Sequence, residues 1–199
     1  MKKILGIIGS PRKLGNCEIM VKEISRQISI PHELKLLRLQ DFKILPCRGC
    51  YQCLFKTGHC VIEGDLATVV TAIVEADALI VSAPTYFLGI NSCIKQFLDR
   101  GISLLAHIEK LWHKPAVGVV IAGIEGKEGY SLLAIQSFLK LIMAVNKQSR
   151  IVYELFLSKE EAVKHREWLL GMKSRFIEQK KALKDVTRSY IKQGIWIKP

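Results

Sequence analysis

Short apolar runs alternate with longer segments of helical periodicity along the chain, and this alternation restricts the fold more than any other feature. The apolar runs predict five strands, at residues 3–8, 33–39, 78–82, 116–122 and 150–157. The intervening periodicity predicts helices at residues 17–28, 65–75, 91–105 and 130–145. Strands that alternate with helices in this way form a parallel sheet with helices on both faces. The sequence therefore predicts an α/β fold.

The expected architecture is a doubly wound five-stranded parallel sheet with the strand order 2-1-3-4-5, because right-handed crossovers leave few other arrangements. A ligand is expected at the carboxyl ends of the strands. The predicted domain covers residues 1–157 and includes a cysteine loop at residues 46–62. A capping box from Ser158 to Glu161 and a charged amphipathic pattern predict a C-terminal helical extension over residues 158–199.

Four cysteines lie within fourteen residues, in the run CRGCYQCLFKTGHC. They are Cys47, Cys50, Cys53 and Cys60, with the spacing C-x2-C-x2-C-x6-C. Iron–sulfur clusters are held by four thiolates, and the bacterial ferredoxin run opens with the same spacing. Structural zinc sites more often use two separated pairs. The spacing favours a cubane cluster over zinc, and a cysteine run without a metal stays open as a third interpretation.

Disulfide bonds are a further interpretation of these cysteines, and the rest of the chain argues against them. The N-terminal apolar run breaks at Gly9-Ser10-Pro11 without a cleavage site, so no signal peptide is predicted. No segment has the length and apolarity of a membrane span. A cytoplasmic location, where thiols stay reduced, is therefore expected. Six cysteines in 199 residues also fall below the density of a disulfide scaffold.

The chain carries a formal net charge of +12, which suits nucleic acid, an anionic cofactor or an acidic protein partner. It has no helix-turn-helix, no zinc-finger spacing with paired histidines and no RNA-recognition aromatic motif. Nucleic-acid binding is therefore not expected. An acidic electron-transfer partner is at least as consistent with the positive net charge as nucleic acid is.

Three of the predicted strands end in segments suited to ligand binding. The first leads through GSPRKLGN into a helix, whose N-terminus together with Ser10, Arg12 and Asn16 suits a phosphate monoester. This loop matches neither the Walker A nor the dinucleotide pattern. The third strand ends in APTYFLGIN, which places a proline and two aromatic rings at the rim of a flat-ring pocket. A glycine-rich loop that includes Gly123 follows the fourth strand and gives backbone N–H groups access to a ligand.

The segments GSPRKLGN, PCRGCYQCLFKTGHCVIEGDL and SAPTYFLGINSCIKQFLDR, in this order, resemble the NAD(P)H-dependent FMN reductase superfamily and, within it, the iron–sulfur flavoproteins. The resemblance covers about residues 1–155 and implies a flavodoxin-like fold with FMN. The implied phosphate contacts are Ser10, Arg12, Gly15, Asn16 and Cys17. The implied contacts around the flavin ring are Pro84, Thr85, Tyr86, Phe87, Asn91 and Gly123. The implied ligands of a [4Fe–4S] cluster are Cys47, Cys50, Cys53 and Cys60.

Two positions depart from the pattern of the iron–sulfur flavoproteins. Cys17 stands where threonine or serine is common, and Glu63-Gly64-Asp65 stands where paired acids are usual. A helix start can lower the pKa of a thiol, which is an alternative role for Cys17 besides a phosphate-loop contact. Cys93, inside an apolar helical pattern, is expected to pack in the core.

FMN accepts a hydride and passes electrons singly, so the chemistry is expected on the cofactor without a catalytic side chain. The expected reaction couples NAD(P)H or reduced ferredoxin to a small or protein acceptor through FMN and the cluster. The charges of Arg48, Lys56 and His59 are expected to raise the cluster potential. A cluster-free NAD(P)H-dependent FMN or quinone reductase and a non-enzymatic carrier similar to flavodoxin are the alternatives. Apolar residues 195–197 predict a homodimer or homotetramer.

Overall fold

A computed structural model describes residues 1–87, 89–111, 114–122 and 129–143. Its strands are β1 (Lys2–Ile8), β2 (His32–Arg38), β3 (Ala78–Tyr86), β4 (Gly89–Ile90) and β5 (Ala116–Ile121). Its helices are α1 (Asn16–Arg26), α2 (Leu66–Glu75), α3 (Ser92–Arg100), α4 (Ile108–Leu111) and α5 (Gly129–Met143). The fifth predicted strand at residues 150–157 and the predicted extension at residues 158–199 lie outside the described residues.

The main sheet is parallel, with the order β2-β1-β3-β5. β1 pairs with β2 from Lys2 opposite His32, and β3 lies between β1 and β5. β4 forms a short antiparallel pair with the end of β3. Since β5 is the fourth strand predicted from the sequence, the expected order is confirmed over four of its five strands.

Alternate residues of the strands pack against helices on opposite faces of the sheet. Ile4 and Ile8 of β1 join the cluster formed with Met20, Val21 and Ile24 of α1. Leu5 and Ile7 belong to a second, larger cluster on the other face, with side chains of α2, α3 and α5. Both faces of the sheet are therefore covered, as the doubly wound prediction required. Each fully buried aliphatic side chain stabilises the fold by about 1.5–3 kcal/mol.

The third strand does not stop before Pro84, contrary to the prediction, and continues to Tyr86. The Ser82 carbonyl accepts a hydrogen bond from the Gly9 N–H at 2.7 Å, so residue 82 directs its backbone groups toward β1. Residue 84, two positions on, would direct an N–H to the same side, but the pairing with β1 ends at Ser82. The N–H that proline lacks therefore costs no ladder hydrogen bond.

The helix at residues 66–75 begins where the sequence predicts it, but Asp65 does not cap it with its side chain. Asp65 Oδ2 instead accepts a hydrogen bond from the Lys43 N–H at 2.7 Å. Cys93 is partly buried and packs against the larger core cluster, which agrees with its expected role. Among the residues described, no helix combines the length and apolarity needed to cross a bilayer.

Candidate functional site

The loop after β1 turns directly into α1 and contains the predicted phosphate contacts. Gly15 occupies the N-cap position of α1, so the N–H groups of the first helical turn lie at this end. Ser10 is buried, and its Oγ accepts a hydrogen bond from the Arg12 N–H at 3.3 Å. Arg12 itself is exposed, and Asn16 is partly exposed. A helix N-terminus beside an exposed cation is an arrangement that favours a phosphate.

One acidic side chain shapes this loop from within α1. Glu18 Oε2 accepts a hydrogen bond from the Leu14 N–H at 3.0 Å, and its Oε1 accepts one from Lys22 Nζ at 2.6 Å. Burial raises the pKa of Glu18, but these hydrogen bonds and the Lys22 charge outweigh it, so the pKa lies below its ordinary value. The Leu14 N–H and the Lys22 ammonium group thus compensate the charge of the ionised carboxylate. Leu14, which donates this hydrogen bond, has a φ of 53°.

Cys17 lies beneath the loop with 2% of its surface exposed. Burial raises the pKa of its thiol to about 12, and hydrogen bonds with Ser82 and Ser10 offset this only in part. The interpretation that the helix start lowers the pKa of Cys17 is therefore wrong, because desolvation of the thiolate exceeds the effect of the helix dipole. Ser82 Oγ also donates to the Cys17 carbonyl at 3.2 Å, which ties α1 to β3.

The high pKa of Cys17 predicts a loss of stability at alkaline pH. An unfolded thiol ionises near its ordinary pKa of 9.0, whereas the buried thiol stays protonated to about 12. The unfolded state therefore binds fewer protons over this interval, and stability falls as pH rises. Between about pH 8 and about pH 10 the free energy of unfolding should fall by about 1.4 kcal/mol more in the wild type than in Cys17→Ala. Urea unfolding at both pH values measures this difference, and equal losses would contradict it.

Asn91 joins the loop after β1 to the start of α3. Its Nδ2 donates to the Gly9 carbonyl at 2.5 Å, and its Oδ1 accepts the Ile94 N–H at 3.1 Å, which caps the helix. Asn91 is 3% exposed. Space here is tight, because a Cβ on Gly9 would lie 2.8 Å from Ile94 Cβ. The ends of β1 and β3 are therefore held as one unit.

The residues at the end of β3 that are predicted to contact the flavin ring differ in exposure. Pro84 is buried, whereas Tyr86 and Phe87 are exposed, and Phe87 has a φ of 44°. Thr85 Oγ1 donates to Oγ of the buried Ser131 at 2.9 Å, which ties this segment to α5. Tyr86 and Phe87 are thus exposed at the end of β3, whereas Thr85 has a contact inside the protein.

The carboxyl ends of β1, β3 and β5 lie at one edge of the sheet, because all three strands are parallel and adjacent. Pro84 is the register partner of Ile121 at the end of β5. Gly123, the remaining residue predicted near the flavin, lies outside the described residues. The predicted phosphate loop and ring contacts are otherwise brought to the same edge.

The cysteine loop at residues 46–62 is closed at its base by backbone pairing. Ile44 and Gly64 form an antiparallel bridge, and the Asp65 N–H donates to the Lys43 carbonyl at 3.0 Å. Gly64 has a φ of 116°, and a Cβ there would lie 2.2 Å from the Lys43 carbonyl oxygen. Only glycine fits this position without displacing the Lys43 backbone.

The four loop cysteines differ in exposure, and three of them affect the pKa of the fourth. Cys53 is buried, Cys50 is exposed, and Cys47 and Cys60 are intermediate. Burial raises the pKa of the Cys53 thiol, and the neighbouring Cys60, Cys50 and Cys47 raise it further by charge repulsion. The Gly49 N–H donates to Cys47 Sγ at 3.4 Å.

In the described part of the chain, no group of three or more His, Cys, Asp and Glu side chains is arranged to hold a metal ion. The donor set nevertheless has the chemistry of an iron–sulfur site, because four cysteines lie within one fourteen-residue stretch and the Gly49 N–H donates to one of the sulfurs. Cys47, Cys50, Cys53 and Cys60 are the residues that would hold the cluster.

The family model described as NADPH-dependent FMN reductase matches residues 2–152. The chain belongs to this family. The resemblance inferred from the sequence is confirmed, and the FMN reductases are a family of oxidoreductases.

Two relatives of this chain carry the name iron–sulfur flavoprotein. The protein from Archaeoglobus fulgidus is 30% identical over 125 residues, which cover 61% of this chain and 60% of that protein. The protein from Methanocaldococcus jannaschii is 35% identical over 99 residues, which cover 49% of this chain and 51% of that protein. The chain thus spans little more than half the length of these two relatives.

Solved structures confirm the flavodoxin-like fold of the chain. RosB with a bound intermediate, 8-demethyl-8-formylriboflavin-5'-phosphate, is similar with a TM-score of 0.60 at 12% identity, over 96% of this chain and 81% of that chain. A flavodoxin, WrbA-like protein from Agrobacterium tumefaciens has a TM-score of 0.52 at 14% identity, over 95% of this chain and 99% of that chain. At such identities the likeness concerns the fold alone.

Two residues that lie near the candidate sites could not be assigned a role from the sequence. Ser131 binds Thr85 across the sheet edge, and Arg100 donates to Cys60 Sγ at 3.2 Å. Both partners are distant in sequence, by 46 and 40 residues. The sequence pointed only weakly to a role for Arg100. It is a basic residue at the end of an amphipathic helix, and such a position usually faces solvent.

Proposed function

We propose that this chain is an FMN-dependent oxidoreductase of the iron–sulfur flavoprotein type, with FMN at the edge formed by β1, β3 and β5 and a [4Fe–4S] cluster in the cysteine loop. The observation that carries the proposal is the cysteine loop itself, which places four cysteines within fourteen residues of a chain of the FMN reductase family. FMN and the cluster together connect hydride transfer with one-electron transfer.

The proposed phosphate site consists of the helix N-terminus at Gly15, the side chains of Ser10, Arg12 and Asn16, and the backbone at Cys17. The buried Cys17 thiol contributes packing rather than charge, because its high pKa keeps it protonated at neutral pH. Pro84, Thr85, Tyr86 and Phe87 form the proposed ring site, with Asn91 and the Gly123 loop beside it. In this arrangement the exposed aromatic rings shield the ring site from water, and Thr85 is oriented by Ser131.

The proposed electron donor is NAD(P)H or a reduced ferredoxin, and the proposed acceptor is a small molecule or a protein. An acidic ferredoxin suits the net charge of +12, because complementary charge speeds association and orients the partner. The proposed location is the cytoplasm, where the thiols stay available to iron.

We also propose a homodimer or homotetramer. α3 begins beside the loop after β1 and ends at the cysteine loop, so these two loops lie at opposite ends of the helix. Its nine residues have a length of about 14 Å, at about 1.5 Å per residue. Phe87 near the ring site and Phe55 in the cysteine loop are large, exposed apolar side chains. A partner copy that covers them would remove this apolar surface from water.

The cluster-free FMN or quinone reductase remains a second candidate, because no described group of side chains is arranged for a metal. Anaerobic purification with quantitation of flavin, iron and sulfide separates the two. Iron and sulfide in equal amounts, near four per protomer, support the cluster enzyme. Flavin without iron after anaerobic reconstitution supports the cluster-free reductase. Steady NAD(P)H oxidation by the purified protein would exclude a simple electron carrier.

Arg12→Ala is expected to weaken FMN binding by about 1.5–3 kcal/mol, or roughly 10- to 150-fold in Kd, because it removes a hydrogen bond to a charged phosphate. Lys13→Ala is the matched control, since Lys13 is the adjacent exposed cation of the same loop. Quenching of flavin fluorescence during titration measures both affinities. Unchanged affinity in Arg12→Ala, or an equal loss in Lys13→Ala, would refute a specific phosphate contact at Arg12.

A further inference from the structure

Arg100, the last residue of α3, holds both ends of the cysteine loop. Its side chain is almost fully buried, with the residue 1% exposed. Nη1 donates to the Leu45 carbonyl at 3.3 Å, just before the loop, and Nη2 donates to the Ile62 carbonyl at 2.7 Å, at its end. Nη2 also donates to Cys60 Sγ at 3.2 Å. One guanidinium therefore joins the entry, the exit and one thiol of the loop.

The charge of this guanidinium lacks a counterion among the described residues. The ion pairs in the described ranges do not include Arg100, and its buried Nε has no hydrogen-bond partner there. A buried cation is costly unless an anion compensates it. Of the three acceptors it contacts, only the Cys60 sulfur becomes anionic, and a metal-bound cysteine is a thiolate.

We propose that Arg100 is a positioning residue of the cysteine loop and the countercharge of its cluster, acting through Cys60. The redox part rests on the proposed function, since it requires the cluster, whereas the anchoring of the loop does not. One-electron reduction adds a negative charge to the cluster. A buried cation that donates to a ligand sulfur stabilises the reduced state more than the oxidised state, so Arg100 raises the reduction potential.

Arg100 differs in burial and contact from the cations that flank the proposed ligands in the sequence. Arg48, Lys56 and His59 flank the ligands, but all three are exposed, and solvent and salt screen exposed charges. Arg100 is forty residues from Cys60 in sequence, yet it is buried and in direct contact with the sulfur. Burial and contact therefore make Arg100 the stronger influence on the cluster.

The test compares Arg100→Gln, Arg100→Lys and Lys95→Gln. Lys95 is an exposed cation of the same helix that pairs with Asp99, so its replacement removes a charge without touching the loop. The first measurement is the cluster potential, from an anaerobic redox titration followed by electron paramagnetic resonance. The second is amide hydrogen exchange of residues 46–62 in protein prepared without iron.

Arg100→Gln should lower the one-electron equilibrium constant of the cluster about tenfold, which is about 59 mV, and should accelerate exchange in the loop about tenfold. Arg100→Lys keeps the charge but cannot span both loop ends, so it should accelerate exchange while shifting the potential much less. Lys95→Gln should change neither quantity. Circular dichroism of each variant establishes that the fold is intact.

An unchanged cluster potential in Arg100→Gln overturns the countercharge role, as does an equal shift in Lys95→Gln. If the wild type takes up no iron, the proposed cluster fails, and the exchange measurement still decides the anchoring role. Accelerated loop exchange in Arg100→Gln then supports anchoring, and unchanged exchange overturns it. If Arg100→Gln does not fold, Arg100→Lys decides the anchoring role by the same exchange criterion.

Discussion

Replacing Cys50 with alanine is expected to abolish assembly of the iron–sulfur cluster while FMN stays bound. A cubane cluster needs four thiolates, and loss of one ligand opens a corner of the cluster. Cys50 is exposed, so its truncation removes little packing. The strand ends proposed for the flavin lie elsewhere in the chain, which protects FMN binding from the change. Iron and sulfide quantitation after anaerobic reconstitution, together with the flavin absorbance, measures both effects.

Cys93→Ala is the matched control for this experiment. Cys93 lies on α3, outside the cysteine loop, and its thiol is only partly buried. It should retain the full iron and sulfide content of the wild type. Wild-type iron content in Cys50→Ala would contradict the assignment of Cys50 as a ligand. Tetrahedral zinc in place of iron in the reconstituted wild type would refute the cluster altogether.

Cys50→Ala should affect the activities that depend on the flavin site less than those that depend on the proposed cluster. Oxidation of NAD(P)H by free flavin or quinone depends on the flavin site and should survive in part. One-electron exchange with ferredoxin depends on the proposed cluster and should collapse. Equal retention of both activities would place the physiological route on the flavin alone and favour the cluster-free reductase.

The sheet could be predicted from the sequence because the strands that form it are short apolar runs, which local periodicity reveals. β1 is a buried run bounded by glycine and proline, and helix α2 begins and ends where its pattern does. The continuation of β3 through Pro84 could not be predicted in this way. It depends on where β1 ends beside it, which is a relation between two strands and not a property of either.

The candidate site also contains some residues whose roles could be predicted from the sequence and others whose roles could not. Ser10, Arg12 and Asn16 were predictable because one continuous loop carries them into a helix N-terminus. The pKa of Cys17 was not, since the helix start is visible in the sequence but the burial that overrides it is not. Arg100 binds Leu45, Cys60 and Ile62 across separations of 38 to 55 residues. Contacts of this range follow from the packing of α3, and no local pattern encodes them.

Replacing Asn91 with alanine is expected to lower the free energy of unfolding by about 2–4 kcal/mol. Loss of the N-cap acceptor for Ile94 costs about 1 kcal/mol, and the Gly9 carbonyl that loses its donor costs about 1–3 kcal/mol more in a buried setting. Urea unfolding of the flavin-free protein measures the change. A variant within about 0.5 kcal/mol of the wild type would show that neither hydrogen bond matters for stability.

Asn91→Ser separates the two contributions. Serine is a good N-cap and retains an acceptor for the Ile94 N–H, but its shorter side chain does not reach the Gly9 carbonyl. Its destabilisation should therefore be about 1–3 kcal/mol, the part due to the lost contact with Gly9. Because Gly9 begins the loop that carries Ser10 and Arg12, both variants should also weaken FMN binding. Flavin affinity that falls in Asn91→Ala but not in Asn91→Ser would assign the effect to the helix cap, and an equal fall in both would assign it to the support of the loop at Gly9.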